Sequence, residues 1–435
     1  MAKKLLIIGH TFPEPNTTAA GSRMLQLIRL FQEDGYAVTF ASTASQGENS
    51  ADLKSLGITS ETIQLNNSSF DEFLLKLNPT IVLFDRFITE EQFGWSVSET
   101  CPKAVKILDT EDLHFLRKAR ETAIKKDKPV EQANLFTETA KRELASMWRC
   151  DLSLIISETE MTLLQKTFSI PKDILFYLPF LLSPISEEES QNLPVFEERE
   201  HFITIGNLLH APNVDSVKIL KKEIWPQLKV KLPKAELHIF GAYAPQQIKE
   251  LHNGKEGFLI KGWAADGHDV MQQARICLAP IRFGAGLKGK LFDAMQCGTP
   301  FVTTKIGAEG IYNFSEKINN DEANWSDFIN TAITLYTDEK AWLENQNQGF
   351  ETLVNRFDKT LFIKPFLERI ETIKSNLLQH RNKHFFGQIL QHHTAQSTKF
   401  MAKWIEEKNR KTKPQTSLLV PRPRVAEALA EAQAL

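Results

Sequence analysis

Short apolar runs alternate with stretches of helical periodicity through the first 182 residues, stop at an acidic segment, and then begin again. That recurrence constrains the fold more than any single motif, because buried strands alternating with amphipathic helices assemble into parallel sheets wrapped by helices. In the first series LLIIG (5–9), AVTFAS (37–42), TIVLFD (80–85), AVKILD (104–109) and LSLIIS (152–157) are buried-strand segments. AAGSRMLQLIRLFQEDG (19–35) is the first helix, closed by Gly35, and a long charged helix is expected from about 116 to 148. ILFYLPF (174–180) ends the series.

The segment SPISEEESQNLPVFEERE (183–200) has six glutamates against one arginine and contains Pro184 and Pro194, a linker composition. Strand segments resume at FITIGN (202–207), ELHIFGA (236–242), FLIKGW (258–263), ICLAPI (276–281) and PFVTT (300–304), with helices near 212–229, 245–252 and 287–297. Two such series predict an α/β protein with two Rossmann-like doubly wound domains facing a cleft, ligands binding at the carboxyl ends of the strands. The expected domains are a first Rossmann-like domain at 1–182, the linker at 183–200 and a second Rossmann-like domain at 201–355. Helices at 356–380 should pack back on the body, and 381–435 is a basic amphipathic extension.

Composition narrows the function classes. Among 435 residues, 42% are hydrophobic and 24% charged, which excludes a disordered or fibrous chain. A net charge of -2 gives no whole-chain argument for nucleic acid as a partner. The opening MAKKLLIIGHTF has too short an apolar region for a signal peptide, and no apolar run approaches the twenty or so residues of a membrane-spanning helix. Cysteines 101, 150, 277 and 297 form no CxxC pair and no metal spacing with histidine, so reduced thiols in a cytoplasmic protein are expected.

The densest chemistry lies in APIRFGAGLKGKLFDAMQCGTPFVTT, residues 279–304. A strand ends at Pro280, a loop with Gly284, Gly286 and Gly289 and the cations Arg282, Lys288 and Lys290 follows, and a helix begins in or just after it. Glycines let the backbone approach a ligand, and helix-start N–H groups beside ammonium groups favour an anion such as a diphosphate. Asp293, one turn along that helix, is placed to accept hydrogen bonds from ribose hydroxyls. A glycine-rich turn with solvated lysines is the plainer alternative.

With IGAEGI (306–311), this segment resembles the donor-nucleotide site of the retaining GT-B glycosyltransferases known as glycosyl transferases group 1. IGNLLHAPNVDSV (205–217), PKAELHIFG (233–241) and KGWAAD (261–266) are similar to other landmarks of the same half. IIGHTF, the AAGSR helix start with Gly21, and SETE (157–160) fit the acceptor half. The resemblance implies a GT-B fold and transfer of a sugar from a nucleotide-diphosphate-sugar donor to a hydroxyl acceptor, a glycan or lipid-linked glycan, with retention at the anomeric carbon. It implies no metal and no cofactor beyond the nucleotide-sugar co-substrate.

Two positions depart from the family pattern. Ala285 stands where an acid commonly touches the donor sugar, and Asn207 and Asn213 stand where many members carry basic residues on the diphosphate. The charge of the leaving group then falls to Arg282, Lys288 and Lys290, Lys288 first. On the acceptor side, aligning AVKILDTEDLHFLRKAR (104–120) puts Glu111 and Asp112 at a family His-Asp, with His114 two positions later, as candidate catalytic groups. The alternative is that Asp109 or Asp112 caps the next helix. His10 and Gly21 belong to the acceptor loop. Asn207, His210 and Glu309 are assigned to the donor sugar or the cleft, with a helix N-cap the plainer role for Glu309.

Three other readings share the architecture or the chain. A GT-B-fold nucleotide-sugar epimerase and a non-catalytic GT-B scaffold are the alternatives in function. A dehydrogenase would need a GxGxxG turn after the first strand, which GHTFPEPNTTAAGSR does not supply. Finally, residues 381–424 hold ten Lys or Arg and two Glu. Phe385, Phe386, Ile389 and Leu390, then Phe400, Met401, Trp404 and Ile405, make apolar helical stripes that either dock on the body or lie on an anionic membrane surface, at the inner face.

Overall fold

The computed structural model describes residues 3–311 and 325–392 together with the single positions 400, 401, 404 and 408. Residues 1–388 cluster as one compact unit, and 389–435 as a second. Among the described residues of the first unit, twelve strands sort into two all-parallel sheets. β1 (Lys4–Gly9), β2 (Ala37–Ser42), β3 (Thr59–Thr62), β4 (Ile81–Asp85), β5 (Val105–Asp109), β6 (Leu152–Ile155) and β7 (Leu175–Tyr177) form the larger, in the order β3-β2-β1-β4-β5-β6-β7. β8 (Glu200–Ile205), β9 (Leu237–Phe240), β10 (Phe258–Gly262), β11 (Ala274–Ala279) and β12 (Phe301–Thr303) form the smaller, in the order β10-β9-β8-β11-β12.

Both orders reverse direction once, between β1 and β4 and between β8 and β11. A crevice opens at each reversal because the flanking helices leave to opposite faces there. The strands read as apolar runs because both faces are covered. Leu5 and Ile7 pack with the helix Ala19–Glu33 on one face, while Leu6 and Ile8 pack with Phe93 and Val97 on the other. In the second sheet Ile203, Cys277 and Ala279 face one core and Phe202, Ile276 and Leu278 the other.

The helix Ala19–Glu33 starts at Thr18, whose hydroxyl accepts from the Gly21 amide at 3.0 Å. A Cβ at Gly21 would lie 2.5 Å from the Glu14 backbone, so glycine is what allows the 13–18 loop to fold over the first turn. The long helix expected from 116 to 148 is instead two helices, His114–Lys125 and Glu138–Arg149, with a turn of 3-10 helix at Val130–Gln132 between them. Asp127 takes a left-handed φ of 53°, and Pro129 cannot continue the ladder, so a break replaces the helix that charge periodicity suggested.

After the second sheet the chain returns to the first. Lys359 N donates to Leu182 O at 2.8 Å, and the helix Ile363–Ser375 lays Phe366, Ile370 and Ile373 into the core of β1, β4 and β5. Arg381, the first residue assigned to the basic extension, is fastened there, its guanidinium donating to both carboxylate oxygens of Asp151 at 2.7 and 2.8 Å. Ile405 and most of the extension lie outside the described residues. Among the described residues no helix is long and apolar enough to cross a membrane.

Candidate active site

The carboxyl edges of the two sheets meet. The loop after β11 closes against the first half: a Cβ on Gly286, which sits at φ 62°, would fall 2.9 Å from Asp112 Cβ and 3.3 Å from Ile156. A Cβ on Gly289 would fall 2.5 Å from that of Ala19, so the starts of two helices touch across the cleft. The cores interlock as well, with Ala285 inside a cluster of the first half and Phe180 packed at 5.1 Å on Phe292 of the second. The position where the family carries a sugar-touching acid therefore holds a buried methyl group.

The three cations of this loop are partnered by their own half. Lys288 is the N-cap residue of the helix Gly289–Gln296, is 9% exposed, and donates to Gly286 O at 2.8 Å. Lys290 donates to Asn213 Oδ1 at 2.9 Å, and Asn213 in turn donates to Asn207 O at 2.8 Å, which ties both asparagines to the lysine network. Arg282 pairs with both oxygens of Asp215 at 2.9 and 2.5 Å. Burial lowers the Lys288 ammonium from its ordinary value and brings Lys290 down to about 8. An ammonium carries three protons, so one such bond leaves donor capacity for phosphate oxygens, and an arriving anion would raise both groups again.

Gly284 and Gly286 are also engaged across the cleft. Gly284 O accepts from Arg120 at 2.8 Å, and the Gly286 amide donates to Glu160 Oε1 at 2.8 Å. The latter amide points at a carboxylate rather than at the open cleft. Asp293 is half-exposed and lies 3.5 Å from His268 Nε2, an imidazole that the Asp293 hydrogen bond raises above its ordinary pKa.

On the acceptor side, neither Asp109 nor Asp112 caps the next helix, which begins at His114. Its first amides donate instead to buried Glu143, from His114 at 3.1 Å and Phe115 at 2.9 Å. Asp109 is fully buried in a bidentate pair with Arg23, 2.8 to 3.1 Å away. Arg23 also reaches the carbonyls of Leu178 and Pro179. Burial would raise the Asp112 carboxyl, but Arg117 at 2.7 Å and then His114 outweigh it and hold it well below the usual carboxylate range. Burial pushes the His114 imidazole down to about 3, against the attraction of Asp112.

Glu111 differs from both. It takes a left-handed φ of 63°, and burial, then the charge of Asp109, raises its carboxyl to about 8 despite Arg86. A carboxyl group whose pKa lies near working pH can exchange a proton there, which Asp112, held far below that range, does less readily. His10, exposed at the end of β1, donates its amide to Asp85 Oδ2 at 2.9 Å, at the reversal point between β1 and β4. His210 starts the helix Ala211–Ile219. Desolvation by the cleft, then Arg117, lowers it to about 4.

Glu309 is not a helix N-cap. It follows the short helix Lys305–Ala308, and its carboxylate makes a bidentate pair at 2.7 Å with Arg120 of the first half. Arg120, Glu160 and Arg23 are the site residues that local sequence reasoning missed. The one signal for Glu160 was its place in SETE, and nothing adjacent in sequence marked Arg120.

Two doubly wound halves whose carboxyl edges enclose a cleft, with the last helices returned to the first half, define the GT-B architecture. Within it, residues 199–338 match the family described as Glycosyl transferases group 1. Similar solved structures carry the same fold. TarM from S. aureus superposes with a TM-score of 0.63 at 10% identity, over 85% of this chain and 99% of that one. Sucrose-phosphate synthase from Thermosynechococcus elongatus gives 0.63 at 14% identity, over 86% and 99%. HepE from Anabaena in complex with UDP-glucose gives 0.60 at 13%, over 85% and 99%. No curated protein matches the sequence.

Proposed function

We propose that the protein is a cytoplasmic glycosyltransferase that moves a sugar from a nucleoside-diphosphate sugar to a hydroxyl acceptor, a glycan or lipid-linked glycan, with retention of configuration. The observation that carries this reading is the group 1 match over 199–338, whose glycine loop and buried Lys288 stand at a helix start facing the other half. The diphosphate occupies that helix start. Lys288, Lys290 and Arg282 stabilise the negative charge that develops as it leaves. Asp293 receives the ribose hydroxyls, and His210, Asn207 and Glu309 border the sugar.

Retention is assigned to attack on the face from which the diphosphate departs, a donor phosphate oxygen taking the acceptor proton, so no protein nucleophile and no metal is demanded. Glu111 is the acceptor-side group best tuned to assist. Asp112 and His114 orient the acceptor hydroxyl from positions fixed by Arg117. UDP is the first nucleotide to test, since the HepE structure holds UDP-glucose.

Incubation with a panel of nucleotide sugars, followed by assay of released nucleoside diphosphate and NMR of the anomeric proton, tests the reading. Release that depends on acceptor, with retained configuration, is expected. Release without acceptor, with an epimerised free sugar, would support the epimerase instead.

Contact with an anionic membrane is the second reading, favoured by Leu378 and Phe385 at 74% and 58% exposure and by the Lys and Arg residues that follow Leu378 in the sequence. Co-sedimentation with anionic vesicles should fall in the Leu378→Ser, Phe385→Ser double variant; equal binding by both proteins contradicts it.

A further inference from the structure

The amino ends of β8 and β9, at the far end of the second sheet from the cleft, bring three metal-ligating side chains together. Phe202 pairs with Leu237 and Ile203 with His238, so His201 falls beside Glu236 in the same register. Side chains two positions apart share a sheet face, which puts Glu236 and His238 on one side. The His201 and His238 rings stack with centroids 3.9 Å apart, and His238 Nε2 lies 2.8 Å from Glu236 Oε2. One ligand atom from each of the three lies within 4.8 Å of the others. His201 holds a left-handed φ of 46°, an uncommon conformation for a residue with a Cβ.

We propose that His201, Glu236 and His238 bind a divalent transition-metal ion, zinc foremost, with a water in the fourth position. The proposal is independent of the transferase reading. Zinc bonds to imidazole nitrogen and carboxylate oxygen at about 2.0 to 2.2 Å, which in a tetrahedron sets ligand atoms about 3.3 to 3.5 Å apart. The observed ligand atoms, within 4.8 Å of one another, close to that spacing on binding. The hydrogen bond between His238 and Glu236 opens slightly, and His201 swings toward it. Where His238 carries its proton on Nε2, the proton moves through solvent to Nδ1, and the neutral ring offers Nε2 to the metal.

The charged neighbours suit a cation. Glu200 and Lys261 also act on these histidines, and with neutral imidazoles the two glutamates outnumber the lysine. Two imidazoles and a single carboxylate select zinc, nickel or copper over magnesium and calcium, which prefer all-oxygen sites. A metal held there fastens the start of β8 to that of β9 and stabilises the native chain by mass action. Its role is structural, because the cleft lies at the opposite ends of these strands.

The test is a zinc chloride titration of the full-length, tag-free protein by calorimetry after treatment with chelator. One zinc per chain is expected, with a rise of a few degrees in Tm. His201→Gln and His238→Gln should each weaken binding at least tenfold, and Glu236→Gln at least fivefold. Glu236 is exposed, so its variant keeps the comparison decisive even where a histidine variant fails to fold. Cobalt in place of zinc should give the intense visible bands of a four-coordinate site. A wild type that takes up no zinc, or a Glu236→Gln variant with unchanged affinity and a six-coordinate cobalt spectrum in the wild type, overturns the proposal.

Discussion

One carboxylate oxygen of Glu160 accepts the Leu113 amide at 3.0 Å and the Gly286 amide at 2.8 Å, one from each side of the cleft. The other oxygen, Oε2, is buried with no hydrogen-bond partner among the described residues. Burial, then the charge of Asp112, raises this carboxyl to about 7 against an ordinary 4.5. The folded chain therefore holds a proton that the unfolded chain releases between pH 4.5 and 7. Stability from this group is present at low pH and is lost as pH rises to about 7, with no further loss above. Urea midpoints at pH 5, 6, 7 and 8 should show that decline in the wild type and a flatter profile in Glu160→Gln. Parallel profiles would remove Glu160 as its source.

Gly286→Ala should separate the halves locally. The left-handed φ costs a residue with a Cβ about 1–2 kcal/mol, and the new methyl group would press on Asp112 at 2.9 Å. A loss of about 2 kcal/mol in urea unfolding is expected, with lower turnover on any donor that supports activity. An unchanged midpoint would mean that the loop yields freely.

The Arg23–Asp109 pair sets the carboxyl end of β5 from inside the core. Removing one partner strands a buried charge, so Asp109→Ala should cost about 3–5 kcal/mol. Replacing both partners by apolar residues should recover part of that loss. A double variant less stable than Asp109→Ala alone would contradict the assignment.

Arg120 and Glu309 join the halves through charge-assisted hydrogen bonds at 2.7 Å, both side chains under a fifth exposed. A cycle of Arg120→Ala, Glu309→Ala and the double variant should give a coupling energy of about 1–3 kcal/mol. Additive effects would show that the two act separately.

What was legible in the sequence was whatever local pattern encodes. The apolar runs became β1, β4, β5 and β6 because full burial leaves an uninterrupted hydrophobic signature. β3, Thr59–Thr62, escaped because all four residues are exposed and carry no such pattern. The helix near 212–229 is real but passes through a π-helical turn at Leu220–Ile224, next to Pro226, which periodicity does not reveal. The glycine loop was legible because its glycines, cations and helix start are contiguous. Glu160 with Gly286 and Arg120 with Glu309 lie 126 and 189 residues apart, and only the meeting of two sheets joins them.

The central claim is that the helix start at Lys288 receives the diphosphate of a nucleotide sugar, and calorimetric titration of UDP and other nucleoside diphosphates into wild type and Lys288→Ala tests it directly. Binding of at least one nucleoside diphosphate by the wild type is predicted, weakened in the variant by about 1.5–3 kcal/mol, the range for hydrogen bonds to charged groups. No binding of any nucleoside diphosphate, or equal affinity in a folded Lys288→Ala protein, would contradict the account.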